Sequence, residues 1–265
     1  MKTYKDQVIN YANNSTRASS LLEDLNKIPL TSSGSSESPR FHAIQADVSD
    51  KASVNNLVAE TVKKMGRLDV VVSNAGWTRL TDFMKFDEQT LEDDWDKCFL
   101  YNVKSHLWLA TAAKPHLEET EGAFVTTASI AGVKPSGSSL PYSVTKAALI
   151  HLTKGLAVIC APKIRINSVS PGLMLTEWGM KFPKEKIEKS TQNSKLKRLA
   201  TVEVSLDIGR FSSHKTGLLT SAIGCGGTSQ RFGVEPKHDW TEHCLGRRVD
   251  SIDRHRPVSN ISRLP

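Results

Sequence analysis

Apolar and polar positions change over in short blocks along this chain, and the block lengths predict alternating strands and helices. Residues 7–11 (QVINY) are β-rich and run through the polar stretch 12–16 into a helical pattern over 17–27. A Ser/Gly-rich loop over 31–39 leads to a second strand at 41–45, and Asp47-Val48-Ser49-Asp50 then offers N-cap chemistry for a helix over 51–65, where Val54, Leu57, Val58 and Val62 fall at helical spacing. Residues 68–72 form a continuous apolar run of strand length, the pattern of a parallel strand covered on both faces. A long helix over about 91–117, a strand at 123–128, a helix from 142 to about 160 and a strand at 164–169 continue the series.

Strands alternating with helices at this spacing predict an α/β fold, a doubly wound parallel sheet of Rossmann-like type. After about residue 200 the periodicity fades. Residues 228–265 scatter Trp240, Leu245, Ile252 and Ile261 among charges and prolines, so the expected organisation is one α/β domain over 1–227 and a disordered or loosely attached tail over 228–265.

Charge narrows the function classes. The net charge of +7 comes from 35 Lys plus Arg against 28 Asp plus Glu, spread along the whole chain, and so diffuse an excess argues against a nucleic-acid-binding module. Cys98, Cys160, Cys225 and Cys244 form no CxxC pair, which predicts reduced thiols. Cys225, His238, His243 and Cys244 have no familiar zinc spacing, so no metal is expected. No apolar run reaches membrane-spanning length and no export signal opens the chain, so a soluble, cytoplasmic protein without a membrane partner is the expectation.

The sharpest chemical feature is Tyr142-Ser143-Val144-Thr145-Lys146. Residues four apart share a helix face, and an ammonium beside a phenol favours the phenolate, which would bring the tyrosine into range as a general acid or base. An exposed helix face explains the same residues without any chemistry. Ser129 stands thirteen residues earlier at the end of a predicted strand, Asn102 lies inside the long helix, Ser73-Asn74-Ala75-Gly76 follows the apolar strand, and Pro171-Gly172 runs off another.

In this order and spacing the chain resembles the short-chain dehydrogenase/reductase family over about residues 8–200. The resemblance implies a hydride transfer between a nicotinamide cofactor and a carbonyl or alcohol of a small organic substrate, in a homodimer or homotetramer. It makes Tyr142 the catalytic acid/base, Lys146 the ribose ligand that biases it, Ser129 the donor to the substrate oxygen and Asn102 the support of a water relay. For Asn102, a helix-bending polar residue is the competing reading. Asp47 and Val48 resemble the adenine contacts, Asn74, Ala75 and Gly76 the turn beside adenosine, and Pro171, Gly172 and Thr176 the nicotinamide segment. After the first predicted strand, Ala12 to Arg17 offers Asn14, Ser15 and Thr16 as small polar donors and a cation but no carboxylate, which favours NADP(H) over NAD(H).

The chain also departs from the family. It opens on what matches the second family strand, so the first strand and its TGxxxGIG turn are missing from these residues. Gly34 lies between a predicted helix and strand, the reverse of the needed order, and Gly224, Gly226 and Gly227 open no helical pattern. Residues 215–227 resemble the family's last strand only faintly. A catalytically impaired or non-catalytic form that binds cofactor weakly is therefore the rival to an active enzyme. Trp178, Met180 and Phe182 suit an apolar lid over the substrate or ordinary helix packing, and the substrate's identity is not encoded in anything visible.

Overall fold

In the computed structural model, which describes residues 6–27 and 41–202 and the backbone of 222–224, the alternation becomes two parallel sheets. The first joins β1 (Gln7–Tyr11) to β2 (Phe41–Gln45), in register from Gln7 opposite Phe41 to Tyr11 opposite Gln45. The second has the order β3-β4-β5-β6, with β3 at Val70–Ser73, β4 at Ala123–Thr127, β5 at Arg165–Pro171 and β6 at Ala222–Gly224. The parallel α/β arrangement is thus the expected one. The loop expected over 31–39, the tail over 228–265, and Cys225, His238, His243 and Cys244 lie outside the described residues.

The helices begin where local chemistry can cap them. The Asn14 side chain accepts the Arg17 amide at 2.8 Å and starts α1 (Ser15–Asn26), two residues earlier than the sequence pattern suggests. Asp50 accepts the amides of Ala52 and Ser53 and starts α2 (Lys51–Met65), which ends at Gly66 in the left-handed region, φ 72°. α2 buries Val54, Leu57 and Val58, the predicted stripe, and packs against α4 (Ser105–Thr120). α5 (Leu140–Cys160) starts at Ser139, whose side chain accepts the Tyr142 amide at 3.3 Å. α5 has the length and apolar composition of a membrane span, but it packs on β5 and buries Lys146, the behaviour of a core helix.

Three features differ from the expectation. The long helix over 91–117 is three segments, α3 (Glu92–Phe99), a wider π turn at Leu100–Lys104, and α4. In that turn the Ser105 amide bonds the Leu100 carbonyl, five residues back, and Asn102 sits at its centre. The strand expected at 68–72, buried on both faces, is β3 at Val70–Ser73, and Val72 is 63% exposed. β3 is hydrogen-bonded to β4 on one edge, and among the described residues no strand lies on its other edge, so its faces lack the cover that leaves Phe124 and Val125 of β4 fully buried. Finally, α6 (Lys184–Asn193) forms where the sequence has no apolar stripe, and it buries none of its residues.

The core lies between α4, α5 and the second sheet. Ala110, Ala113 and Leu117 meet Phe124, Cys160, Ile164 and Ile166. Every strand in a parallel sheet points the same way, so Ser73, Ser129 and Pro171 all come off the C-terminal edge of the second sheet, where open α/β folds place ligands.

Candidate active site

Ser129, Tyr142 and Lys146 are brought together by the turn that follows β4. Gly132 lies in that turn so close to α5 that a Cβ there would stand 2.5 Å from the Lys146 carbonyl carbon, and only glycine lets the backbones touch. The close approach places Ser129, in extended backbone, beside Tyr142, near enough for its hydroxyl to favour the ionised phenol. The Ser129 hydroxyl oxygen also accepts the Ala131 amide at 3.1 Å, which fixes its rotamer. The Lys146 ammonium is buried, donates to the Thr127 carbonyl at 2.7 Å, and lies 5.6 Å from the centre of the Tyr142 ring.

Asn102 joins this group from the π turn. Its Nδ2 donates to the Trp77 carbonyl at 2.9 Å and to Thr145 Oγ1 at 3.0 Å, while its Oδ1 accepts the Trp77 amide at 2.8 Å. With no exposed surface and both ends of its amide bonded, Asn102 holds the segment after β3 against α5. Gly76 lies in between. A Cβ at Gly76 would stand 3.0 Å from Asn102 Oδ1 and 3.5 Å from Lys146 Nζ, so the missing side chain leaves the buried ammonium room for another ligand.

Electrostatics depart from the simple expectation for a tyrosine beside a cation. Burial pushes the Tyr142 phenol up, with the Ser129 hydrogen bond opposing, so in the chain alone desolvation outweighs any bias toward phenolate. Burial also lowers Lys146, to about 8. The folded value lies below the usual 10.5, so the unfolded chain binds more protons between about pH 8 and 10.5. Stability from this group therefore rises with pH through that window, and below about pH 8 the full cost of the buried charge stands, about 3 kcal/mol. Lys146→Met removes that cost and leaves the Thr127 carbonyl unpaired at about 1 kcal/mol. The variant is expected to be about 2 kcal/mol more stable at pH 7, an advantage that shrinks toward pH 10. Urea unfolding at both pH values checks it, and a less stable variant at pH 7 would contradict the assignment of a strained ammonium.

The other expected residues fall into two groups. Asn14, Ser15 and Thr16 follow β1, Asp47 and Val48 follow β2, and the Ala46 amide donating to the Tyr11 carbonyl at 2.9 Å keeps those two strand ends adjacent. Asn14 is occupied as a cap and Asp47 Oδ1 accepts the Ser49 amide, which leaves Ser15 and Thr16 exposed. Asn74, Ala75 and Gly76 lie between β3 and the Asn102 contacts. Pro171 closes β5, Gly172 follows, and Thr176 Oγ1 accepts the Gly179 amide at 3.2 Å, so it also serves as a local turn cap. Thr176 lines a cavity of about 270 Å³ with Arg17, Glu177, Trp178 and Lys181, a lining that includes neither Tyr142 nor Lys146. Arg17, on α1, spans it to form an exposed ion pair with Glu177 at 2.8 Å.

Two places in the chain offer cofactor chemistry at its ends: the glycine backbone at Gly76 beside the Lys146 ammonium, which leaves space a Cβ would fill, and the Arg17 cation, which is paired with Glu177. Among the described residues no glycine-rich turn joins a strand to a helix between the two sheets, so the centre of the cradle is not supplied there. Sequence reasoning missed Thr145, whose hydroxyl seats Asn102, as well as Glu177 and His106. Thr145 lies within the YxxxK segment itself, and His106 lies one helical turn beyond Asn102.

A family model described as short chain dehydrogenase matches residues 6–187. The chain is 36% identical to tropinone reductase-like 3 of Erythroxylum coca over 192 residues, 70% of this chain and 72% of that protein. It is also 36% identical to the human dehydrogenase/reductase SDR family member 4 over 185 residues, 66% of this chain and 65% of that one. With other curated relatives the match spans as little as 48% of the relative's length. Among solved structures, a short chain dehydrogenase from Burkholderia cenocepacia J2315 in complex with NADP superposes with a TM-score of 0.71 at 26% identity, covering 84% of this chain and 86% of that one.

Proposed function

This chain belongs to the short-chain dehydrogenase family of oxidoreductases, and from that premise we propose that it moves a hydride between NADP(H) and the carbonyl or secondary alcohol of a small organic substrate. The observation that carries the reading is the clustering of Ser129, Tyr142 and the buried Lys146, with Gly76 held between Lys146 and Asn102. Residues 1–227 are the catalytic unit in this reading. The cofactor, when bound, supplies or accepts the hydride at its nicotinamide ring.

The rest is the work of this chain's side chains. In the reductive direction Ser129 donates a hydrogen bond to the substrate oxygen and Tyr142 gives it a proton, so the charge that develops there is neutralised. Lys146 holds a ribose hydroxyl and carries positive charge to the phenol, and Asn102 fixes the lysine's surroundings through Thr145 and Trp77. Asp47 and Val48 face adenine, Asn74 to Gly76 the adenosine side, and Pro171, Gly172 and Thr176 the nicotinamide side.

NADP(H) is favoured over NAD(H) because the residues after β1, from Ala12 to Arg17, carry no carboxylate to repel a 2′-phosphate and end in a cation. The NADP held by the Burkholderia relative supports the same choice. Ala12, exposed at the end of β1, is the place to reverse it. Ala12→Asp is expected to cut the NADPH preference about tenfold, roughly 1.4 kcal/mol, through charge repulsion. Ratios of kcat/KM for the two cofactors measure this, and a parent chain that uses NADH better than NADPH would overturn the cofactor assignment.

A second reading draws on the split sheet. Among the described residues β1–β2 and β3–β6 are not hydrogen-bonded to each other, and this favours a weakly binding, catalytically impaired form as the alternative.

A further inference from the structure

Asn102 is not the only buried polar side chain that the helix after β3 directs at the segment 73–77. His106, on α4 and 1% exposed, shares a hydrogen bond of 2.6 Å between its Nδ1 and Ser73 Oγ. Its ring also lies within reach of the Ala75 backbone, and Nε2 has no hydrogen-bond partner of good geometry. Four residues earlier, Asn102 takes both the amide and the carbonyl of Trp77. Four residues earlier again, Cys98 directs its thiol at the same Trp77 carbonyl, 3.8 Å away, and burial pushes that thiol up to about 12, so it stays protonated. One side of the α3–α4 helix therefore meets the whole segment, with Asn102 at its far end and His106 at its near end.

The imidazole is suited to hold and not to titrate. Burial, and then the charge of Lys146, hold His106 at about 3, against an opposing contribution from the Ala75 backbone. It is neutral at any working pH. If Nδ1 accepts from the Ser73 hydroxyl, Nε2 carries the proton, and the Ala75 backbone, which favours the protonated ring, is the acceptor within its reach. A buried histidine is an unnecessary expense for packing alone, since an apolar side chain of similar volume would need no partner.

We infer that His106 is a positioning residue for the cofactor turn, gripping it at Ser73 while Asn102 grips it at Trp77. The consequence reaches the chemistry through Gly76, which lies between the two grips and against Asn102 Oδ1 and Lys146 Nζ. The Ser73 backbone is held in β3 opposite Thr126, and its side-chain bond to His106 and the Asn102 bonds to Trp77 bracket the residues between, so both influence where Gly76 lies. Losing the His106 bond loosens residues 74–77 between the strand end and the Asn102 anchor. This rests on the proposed cofactor site for its functional consequence, but the grip itself is a property of the chain without ligand.

The test uses the full chain as parent, His106→Ala, His106→Asn and Ser73→Ala, with hydrogen exchange of the 73–77 segment read by mass spectrometry and NADPH affinity by calorimetry. The asparagine amide can take the place of Nδ1, so His106→Asn should keep exchange within about threefold of the parent, whereas His106→Ala and Ser73→Ala should each speed it about tenfold or more. Combining the two alanine changes should add little, since both remove one bond. Exchange over β4 and β5 should be unchanged, which separates a released turn from a damaged core. NADPH affinity should fall about tenfold in the two alanine variants and recover in His106→Asn. Equal exchange in parent and His106→Ala would overturn the inference, as would equal acceleration by Ala and Asn. If exchange behaves as expected and the parent shows no NADPH binding at all, the grip stands and the proposed cofactor site fails.

Discussion

Tyr142→Phe is expected to lower kcat for carbonyl reduction by about three powers of ten, within the range that a positioned proton donor contributes, while NADPH affinity stays within about threefold of the parent. The two halves have separate causes. The ring remains, still packed beside Gly137 and under Lys146, so the shape that faces the cofactor is kept. What goes is the hydroxyl beside Ser129, the proton donor of the proposed reaction. Because burial holds the phenol up, Tyr142 in the chain alone is protonated throughout the neutral range, the form that reduction consumes. Oxidation of an alcohol needs the phenolate, so its rate should rise with pH across the range where reduction stays flat, and reduction should fall only where the phenol ionises. Steady-state rates at saturating cofactor in both directions measure this. Activity within threefold of the parent in Tyr142→Phe would remove the tyrosine from the chemistry.

The second large effect concerns cofactor affinity. A polypeptide of residues 1–265 is expected to bind NADPH two to four powers of ten more weakly than one extended by a strand and glycine-rich turn built to fit between β1 and β3. Two backbone amides aimed at a pyrophosphate are charge-assisted bonds of roughly 1.5 to 3 kcal/mol each, and their loss converts micromolar binding to roughly hundred-micromolar or weaker. The split of the sheet and the 63% exposure of Val72 mark where that strand would lie. Covering Val72 should also raise the thermal midpoint, since the new strand would pair β3's open edge and bury its apolar face. Calorimetric titration of the two polypeptides decides it. Low-micromolar binding by residues 1–265 alone would mean that another segment of the chain cradles the phosphates.

Much of this was legible in the sequence because parallel sheets buried on both faces leave a strong mark. The apolar runs at 41–45 and 123–128 and the helical stripe of Val54, Leu57 and Val58 gave their elements to within a residue or two. The grouping of Ser129, Tyr142 and Lys146 was legible because Tyr142 and Lys146 are tied to one helix face, and because Ser129 follows a strand. What escaped had no local signature. The π turn exists to seat Asn102 on Trp77 and Thr145, contacts 25 and 43 residues apart in sequence. α6 has no apolar stripe, and none of its residues is buried. The exposure of Val72 depends on what lies at the next edge of the sheet, which composition within β3 cannot report. The depressed Lys146 likewise follows from burial, and its helix spacing to Tyr142 suggested the opposite emphasis, a cation that draws the phenol down. The fold supplies desolvation of both groups instead.

The central claim is that these residues pass a hydride and a proton to a carbonyl. The measurement that tests it most directly uses NADPH carrying deuterium at the transferable position of the nicotinamide, at millimolar concentration to offset weak binding, with a panel of small ketones. Mass spectrometry then locates the label in the product. The account predicts one deuterium on the carbinol carbon of at least one product, formed by the parent chain and lost in Tyr142→Phe. Label that stays on the cofactor with every ketone, or product that forms equally well without Tyr142, would contradict it.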